Sequence, residues 1–169
     1  IVGGQRAVEF HVTSSDWLGQ PNVNCHPNYA VCSYNSFFGT DALWVMRYGG
    51  AGMDVDLTPG SADAILFAIE GDMDDSNPQR TLPLTVTVTG GGTTASVTQT
   101  EGSDGLHVFP FAAFAGVDFA HVTEIVISIV ADQTQNDAMD FALYEILAEN
   151  QSGVANEDAT WGELKMLYR

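Results

Sequence analysis

Between Leu82 and Thr100 the chain alternates, turns on three glycines and alternates again. Leu82, Leu84, Val86 and Val88 are interleaved with Thr85, Thr87 and Thr89, then come Gly90-Gly91-Gly92 and the run Thr94 to Thr100. A period of two puts apolar and polar side chains on opposite faces of an extended chain, and a glycine pair supplies the positive φ angles of a tight hairpin. The same period recurs over Ala7–Thr13, with Val8, Phe10 and Val12 on one side and Glu9, His11 and Thr13 on the other. Residues 42–48, 54–58 (closed by Pro59-Gly60) and 64–69 read as further strands. His107 to Phe114 carries Pro110, which suits an edge strand or a bend. Glu124 to Ala131 is apolar on both faces, as a central strand should be. Ala138 to Ala148 fits a helical stripe through Phe141, Tyr144 and Leu147 or a strand face through Met139, Phe141 and Leu143; a strand agrees with every element before it. Asp16 to Thr40, rich in Gly, Pro, Asn and Ser, reads as a long irregular excursion.

Many short strands joined by Gly/Pro turns predict an all-β fold, an antiparallel two-sheet sandwich of jelly-roll type. The sandwich is expected over 1–149, followed by a linker and a short amphipathic C-terminal tail over 150–169. Its inward set should hold Val8, Phe10, Val12, Leu57, Phe67, Leu84, Val86, Val88, Phe119, Ile125, Ile127 and Leu143.

Charge narrows the partners. The 169 residues hold 22 Asp and Glu against 5 Lys and Arg, a formal net charge of −17. Lys165 and Arg169 lie in the tail, leaving Arg6, Arg47 and Arg80 for the body. Phosphate backbones and anionic lipids need clustered cations, so no nucleic acid or anionic membrane surface is expected as a partner. The most apolar run, Ile125 to Ala131, is far shorter than the ~18–20 residues of a membrane helix, so no insertion is expected. A hydrophobic content of 45% is enough for a packed core despite the charge.

Cys25 and Cys32 are the only cysteines. In an oxidising compartment they would close a small loop, worth roughly 2–3 kcal/mol by chain entropy, and would put the protein outside the cell or on its surface. Two unpaired thiols, or half of a metal site with the adjacent His26, are the other readings, although no second Cys/His pair follows. Ile1 at the start points to a processed protein or an excised domain.

Catalytic patterns are weak. Ile1-Val2-Gly3-Gly4 matches the mature end of trypsin-like proteases, but no Gly-Asp-Ser-Gly-Gly loop exists and Ser103 sits in a turn sequence. No carboxylate pair is marked for glycoside hydrolysis, so no enzyme is expected. Asp72, Asp74 and Asp75 crowd one loop, and Asp54 and Asp56 lie two apart on one strand face. Dense carboxylates in a flexible loop suit Ca²⁺ as a cofactor, and a solvated acidic loop is the alternative. Trp17, Tyr29, Tyr34 and Phe37 cluster in the first third and form a candidate platform for stacking on sugar rings; Trp44, on a strand, suits the core.

The order of segments resembles a known family. Ile1-Val2-Gly3-Gly4-Gln5-Arg6 before an alternating strand is similar to the start of the extracellular domain of bacterial surface proteins with PEP-CTERM-type sorting tails. Tyr48-Gly49-Gly50, Asp54 to Thr58, Ser61 to Ile69, Leu82 to Thr89, Phe109 to Phe119 and His121 to Ile127 resemble later segments in the same order. The likeness covers roughly residues 1–148 and departs in the cysteine segment and the ending. It implies a secreted or surface β-sandwich without an assigned activity. The absence of enzymatic signals, the scarcity of lysine, the Thr-lined strands and the polar or glycine-bearing ends, Ile1 to Gln5 and Asn150 to Arg169, give the expected function: a non-catalytic structural subunit of an extracellular filament or matrix, partnered with itself by strand exchange or end-to-edge contacts. The alternative is a carbohydrate-binding module of a cell-surface protein, partnered with a polysaccharide.

Overall fold

The computed structural model describes residues 6–15, 22–26, 31–36, 40–49, 52–71, 83–99, 105–131 and 139–151. They form two five-stranded sheets with antiparallel neighbours. Sheet A runs β1 (Arg6–Ser15), β4 (Thr40–Gly49), β9 (Val122–Ala131), β6 (Leu84–Gly90), β7 (Thr93–Gln99). Sheet B runs β2 (Asn22–His26), β3 (Val31–Ser36), β10 (Met139–Glu149), β5 (Ala64–Gly71), β8 (Gly105–Pro110). Only the β2–β3 and β6–β7 hairpins stay within a sheet; every other pair of consecutive strands is split between the two.

Alternation decides what lies between the sheets. Trp44, Met46 and Tyr48 of β4, Leu84, Val86 and Val88 of β6 and Ile125, Ile127 and Ile129 of β9 are buried and face Ile65, Phe67, Ile69, Phe109, Leu143 and Cys32 of sheet B. Full burial of such a side chain contributes about 1.5–3 kcal/mol, which makes this layer the principal stabilising term. Phe119 closes one end of the core, stacked on Phe111 at 3.8 Å between centroids and edge-on to Phe114 at 5.8 Å. The β6–β7 turn uses Gly91 (φ 58°) and Gly92 (φ 79°), the backbone that a Gly-Gly hairpin predicts. Gly90 is required for another reason: a methyl there would collide with the Asp118 carbonyl.

Most of the expected inward set is buried: Leu57, Phe67, Leu84, Val86, Val88, Phe119, Ile125, Ile127 and Leu143. Val8, Phe10 and Val12 take matching register positions opposite Met46, Trp44 and Ala42, and their side chains lie outside the description. β9 is central, β8 with Pro110 is an edge, and 139–149 is a strand.

Two expectations are corrected. The excursion over 16–40 contains β2 and β3, whose inward positions Val23, Cys25, Cys32 and Tyr34 alternate with Asn22, Asn24, Ser33 and Asn35. Asparagine disfavours strands, so its weight hid a regular period of two. Cys25 and Cys32 are direct cross-strand partners in register. Second, 54–58 is no strand: Val55 makes one isolated bridge to Val122, and Leu57 N–H donates to the Phe119 carbonyl at 2.9 Å. Among the described residues no helix is long and apolar enough to cross a membrane.

Candidate ligand-binding face

The outer face of sheet B brings together side chains with binding chemistry. Register sets Asn24, Ser33, Ala142 and Glu70 in one row across β2, β3, β10 and β5. The next row holds Asn22, Asn35 and Asp140 at outward backbone positions. Ala142 is half-buried and has no side chain beyond Cβ, so it is a low floor between Ser33 and Glu70 across the sheet and Tyr144 along the strand.

Tyr144 reaches this face by plain alternation, two residues after outward Ala142 and one after inward Leu143, and a β-bulge follows. Leu143 pairs with Ile69 and Ile146 with Phe67, so Tyr144 and Glu145 together oppose Ala68. The extra residue lets Leu143 and Ile146 both point inward, where strict alternation would have turned Ile146 outward, the kind of re-aiming for which bulges are used. The Tyr144 hydroxyl donates to Glu70 Oε2 at 2.5 Å in a half-buried setting. That bond, then burial, then the Glu70 charge push the phenol up to about 12. Tyr144 therefore stays protonated across the physiological range, and its ring is fixed by the bond to Glu70.

Beyond Tyr144 the face turns apolar. Leu147, Leu66 and Val108 form one row and Ala68 lies beside Leu106; Leu66 is 2% and Ala68 7% exposed, so this part of the sheet is covered, and only Leu106 on the edge strand is exposed. A planar ring, a carboxylate, an amide and a hydroxyl thus share one surface. This combination can stack on a pyranose face while accepting and donating hydrogen bonds to its rim.

The residues nominated from the sequence fare differently. Trp17, Tyr29, Phe37, Asp72, Asp74 and Asp75 lie outside the described residues. Tyr34 sits on β3 opposite Phe141 in register, and its side chain lies outside the description. Asp54 and Asp56 are exposed and engaged separately. Asp54 Oδ1 lies 3.1 Å from His121 Nδ1, while Asp56 Oδ1 accepts from the Thr58 N–H at 2.8 Å and hydroxyl at 2.6 Å. The Thr58 hydroxyl, then its N–H, hold the Asp56 carboxyl below the usual range. Among the described residues no three His, Cys, Asp or Glu side chains converge on a metal position.

Sequence reading missed Tyr144, Glu70 and Ala142. The sequence puts Tyr144 only on a possible helical stripe, and Glu70 stands just before the loop of Asp72, Asp74 and Asp75. The alternation of Ala142, Leu143 and Tyr144 along β10 was the available signal.

No protein-family model matches the chain. No curated protein matches it. Among solved structures it is similar to the family 11 carbohydrate-binding module of cellulosomal cellulase Lic26A-Cel5E of Clostridium thermocellum, at TM-score 0.44 and 13% identity over 86% of this chain and 89% of that one. The Clostridium thermocellum family 11 module in complex with a β-1,3-1,4-mixed-linked tetrasaccharide is similar at TM-score 0.44 and 12% identity, again over 86% and 89%.

Proposed function

We propose that this chain is a non-catalytic, extracellular carbohydrate-binding module whose sugar-binding surface is the outer face of sheet B. The observation that carries the proposal is the Tyr144–Glu70 pair standing over the Ala142 floor. A carboxylate accepts several hydrogen bonds, so Glu70 can hold the Tyr144 hydroxyl and a sugar hydroxyl together. The ring is oriented before ligand arrives, which lowers the ordering cost of binding. The filament subunit expected from the sequence invoked the two ends of the chain. Residues 1–5 and 152–169 lie outside the described residues, so the sugar-binding reading rests on more of the molecule. A Cys25–Cys32 disulfide and jelly-roll connectivity belong to the same proposal, supported by the cross-strand register of the two cysteines and by the alternation of consecutive strands between sheets.

Affinity electrophoresis in gels cast with neutral β-glucans, xylans and mannans tests this reading. The wild type should be retarded in at least one gel, and Tyr144→Ala should migrate as in a gel without polysaccharide. A Tyr144→Ala protein retarded like the wild type would remove the surface from consideration, and no retardation in any gel would remove the function.

A further inference from the structure

A second surface is marked by what it lacks. Sheet A ends in β7 and sheet B in β8, and Gln99 Nε2 donates to the Val108 carbonyl at 2.7 Å to join these two edges. Open strand edges invite pairing, and proteins guard them with charge, proline, bulges or brevity. Three of the four edges of the described sheets carry such guards. β1 has a bulge between Val12 and Ser14 and exposes Glu9 and His11. β8 ends in Pro110, and β2 has 5 residues. β7 has 7 residues, no bulge against β6, no proline and no charge.

Charge makes β7 more distinctive. Between Thr81 and Thr100 there is no Asp, Glu, His, Lys or Arg, in a chain of net charge −17. Two copies of so acidic a molecule repel each other over most approaches, and a neutral edge is where close contact costs least. The closing pair Gly90–Thr93 of the two-residue turn fixes the hydrogen-bond phase: Ala95, Val97 and Gln99 bond towards β6, leaving the backbone groups of Thr94, Ser96 and Thr98 directed to the open side. The sequence of β7 is also palindromic in character about Ser96. Antiparallel pairing of two copies about that residue would set Ser96 against Ser96, Thr94 against Thr98 and Ala95 against Val97. Outward hydroxyls would then meet hydroxyls, as they already do between β6 and β7, and apolar side chains would meet on the inner face.

We infer that β7 is a self-association edge through which two copies pair about a two-fold axis at Ser96, joining their A sheets into one continuous sheet. The contact is isologous and closes at two copies, so it makes a dimer and not a fibre. It lies on the opposite sheet from the proposed sugar face and does not depend on it.

Sedimentation-velocity ultracentrifugation over micromolar to millimolar concentrations tests this. The wild type should shift from monomer to dimer. Ser96→Glu sets two carboxylates against each other at the two-fold axis and should raise the dissociation constant by about 100-fold. Ser96→Lys should do the same, and an equimolar mixture of the two variants should form a heterodimer. Ser96 is exposed, so both variants should keep the wild-type circular dichroism spectrum, and Thr98→Glu replaces either one that does not. A wild type that stays monomeric, a Ser96→Glu protein that dimerises normally, or a mixture that fails to pair would each overturn the inference.

Discussion

On sheet A the outward hydroxyls of β6 and β7 bond to each other, whereas on sheet B the outward polar groups surround a floor of one alanine. The first arrangement is a ladder: Thr85 with Thr98 at 2.8 Å, Thr87 with Ser96 at 2.7 Å and Thr89 with Thr94 at 2.9 Å. Beside it Arg47 pairs with Glu124 at 2.6 Å, which raises the Arg47 pKa further. These groups stabilise their own sheet and present few oriented partners to a ligand. On sheet B, Tyr144 and Glu70 make one strong bond next to a half-buried alanine, with an amide and a hydroxyl in the same row. Both faces arise from the same alternation, so alternation alone does not mark a site. What separates them is whether polar side chains pair directly across strands, as Thr85 and Thr98 do, or meet diagonally, as Tyr144 and Glu70 do.

Both faces stand on one core, and disturbing it sets the scale for everything else. Phe67 lies between Ile146 and His107 in register and stacks on Phe109 at 5.5 Å. Phe67→Ala should cost about 3–5 kcal/mol in urea unfolding. Losing sugar binding without that cost is the signature of a face-specific change.

Filling the floor gives such a change. Ala142→Phe adds bulk outward from β10, so unfolding free energy should stay within about 1 kcal/mol of wild type. Binding to an oligosaccharide retained by the wild type, measured by titration calorimetry, should weaken by at least about tenfold through steric exclusion. Unchanged affinity would mean that ligand does not cross Ala142.

The outer face of sheet A should show the reverse. Thr85→Val leaves the Thr98 hydroxyl without its cross-strand partner and should cost about 0.5–1.5 kcal/mol. The double variant with Thr98→Val replaces both partners by apolar groups and should recover most of that loss, because neither side then keeps an orphaned hydroxyl. Sugar affinity should not move in either protein. A change in affinity would erase the distinction between the faces.

The sandwich was legible because burial on one face of a strand imposes a period of two, and β6, β7 and β9 keep it without interruption. β2 and β3 were not, because their outward positions are asparagine and serine, whose preference for turns outweighed the inward Val23, Cys25 and Cys32. The isolated bridge at Val55 has the alternation of a strand, but pairing requires a neighbour, and local sequence does not report one. The candidate face was legible only in part. Glu70 and Tyr144 are 74 positions apart, and their meeting depends on the β5–β10 register, which local sequence does not report.

The smallest effect is confined to alkaline pH and concerns the Tyr144–Glu70 bond itself. The Tyr144 phenol, ordinarily near 10, is pushed up to about 12 in the folded chain. Its pKa is raised by folding, so the neutral form is favoured in the native state. The resulting stability is fully present below pH 10, where the phenol is protonated in folded and unfolded chains alike. Between pH 10 and 12 the unfolded chain releases a proton that the folded chain keeps, and the contribution falls away as pH rises through the folded value. Ultraviolet difference titration should therefore show one tyrosine ionising well after an ordinary one. Tyr144→Phe should remove that late step and leave the rest of the curve in place. The ring remains in this variant, so stacking on a sugar should largely persist while the orientation imposed by Glu70 is lost. A modest fall in affinity, smaller than that from Ala142→Phe, is expected. A late step that survives in Tyr144→Phe would show that another phenol carries it, and the bond to Glu70 would then no longer account for the ring being fixed on sheet B.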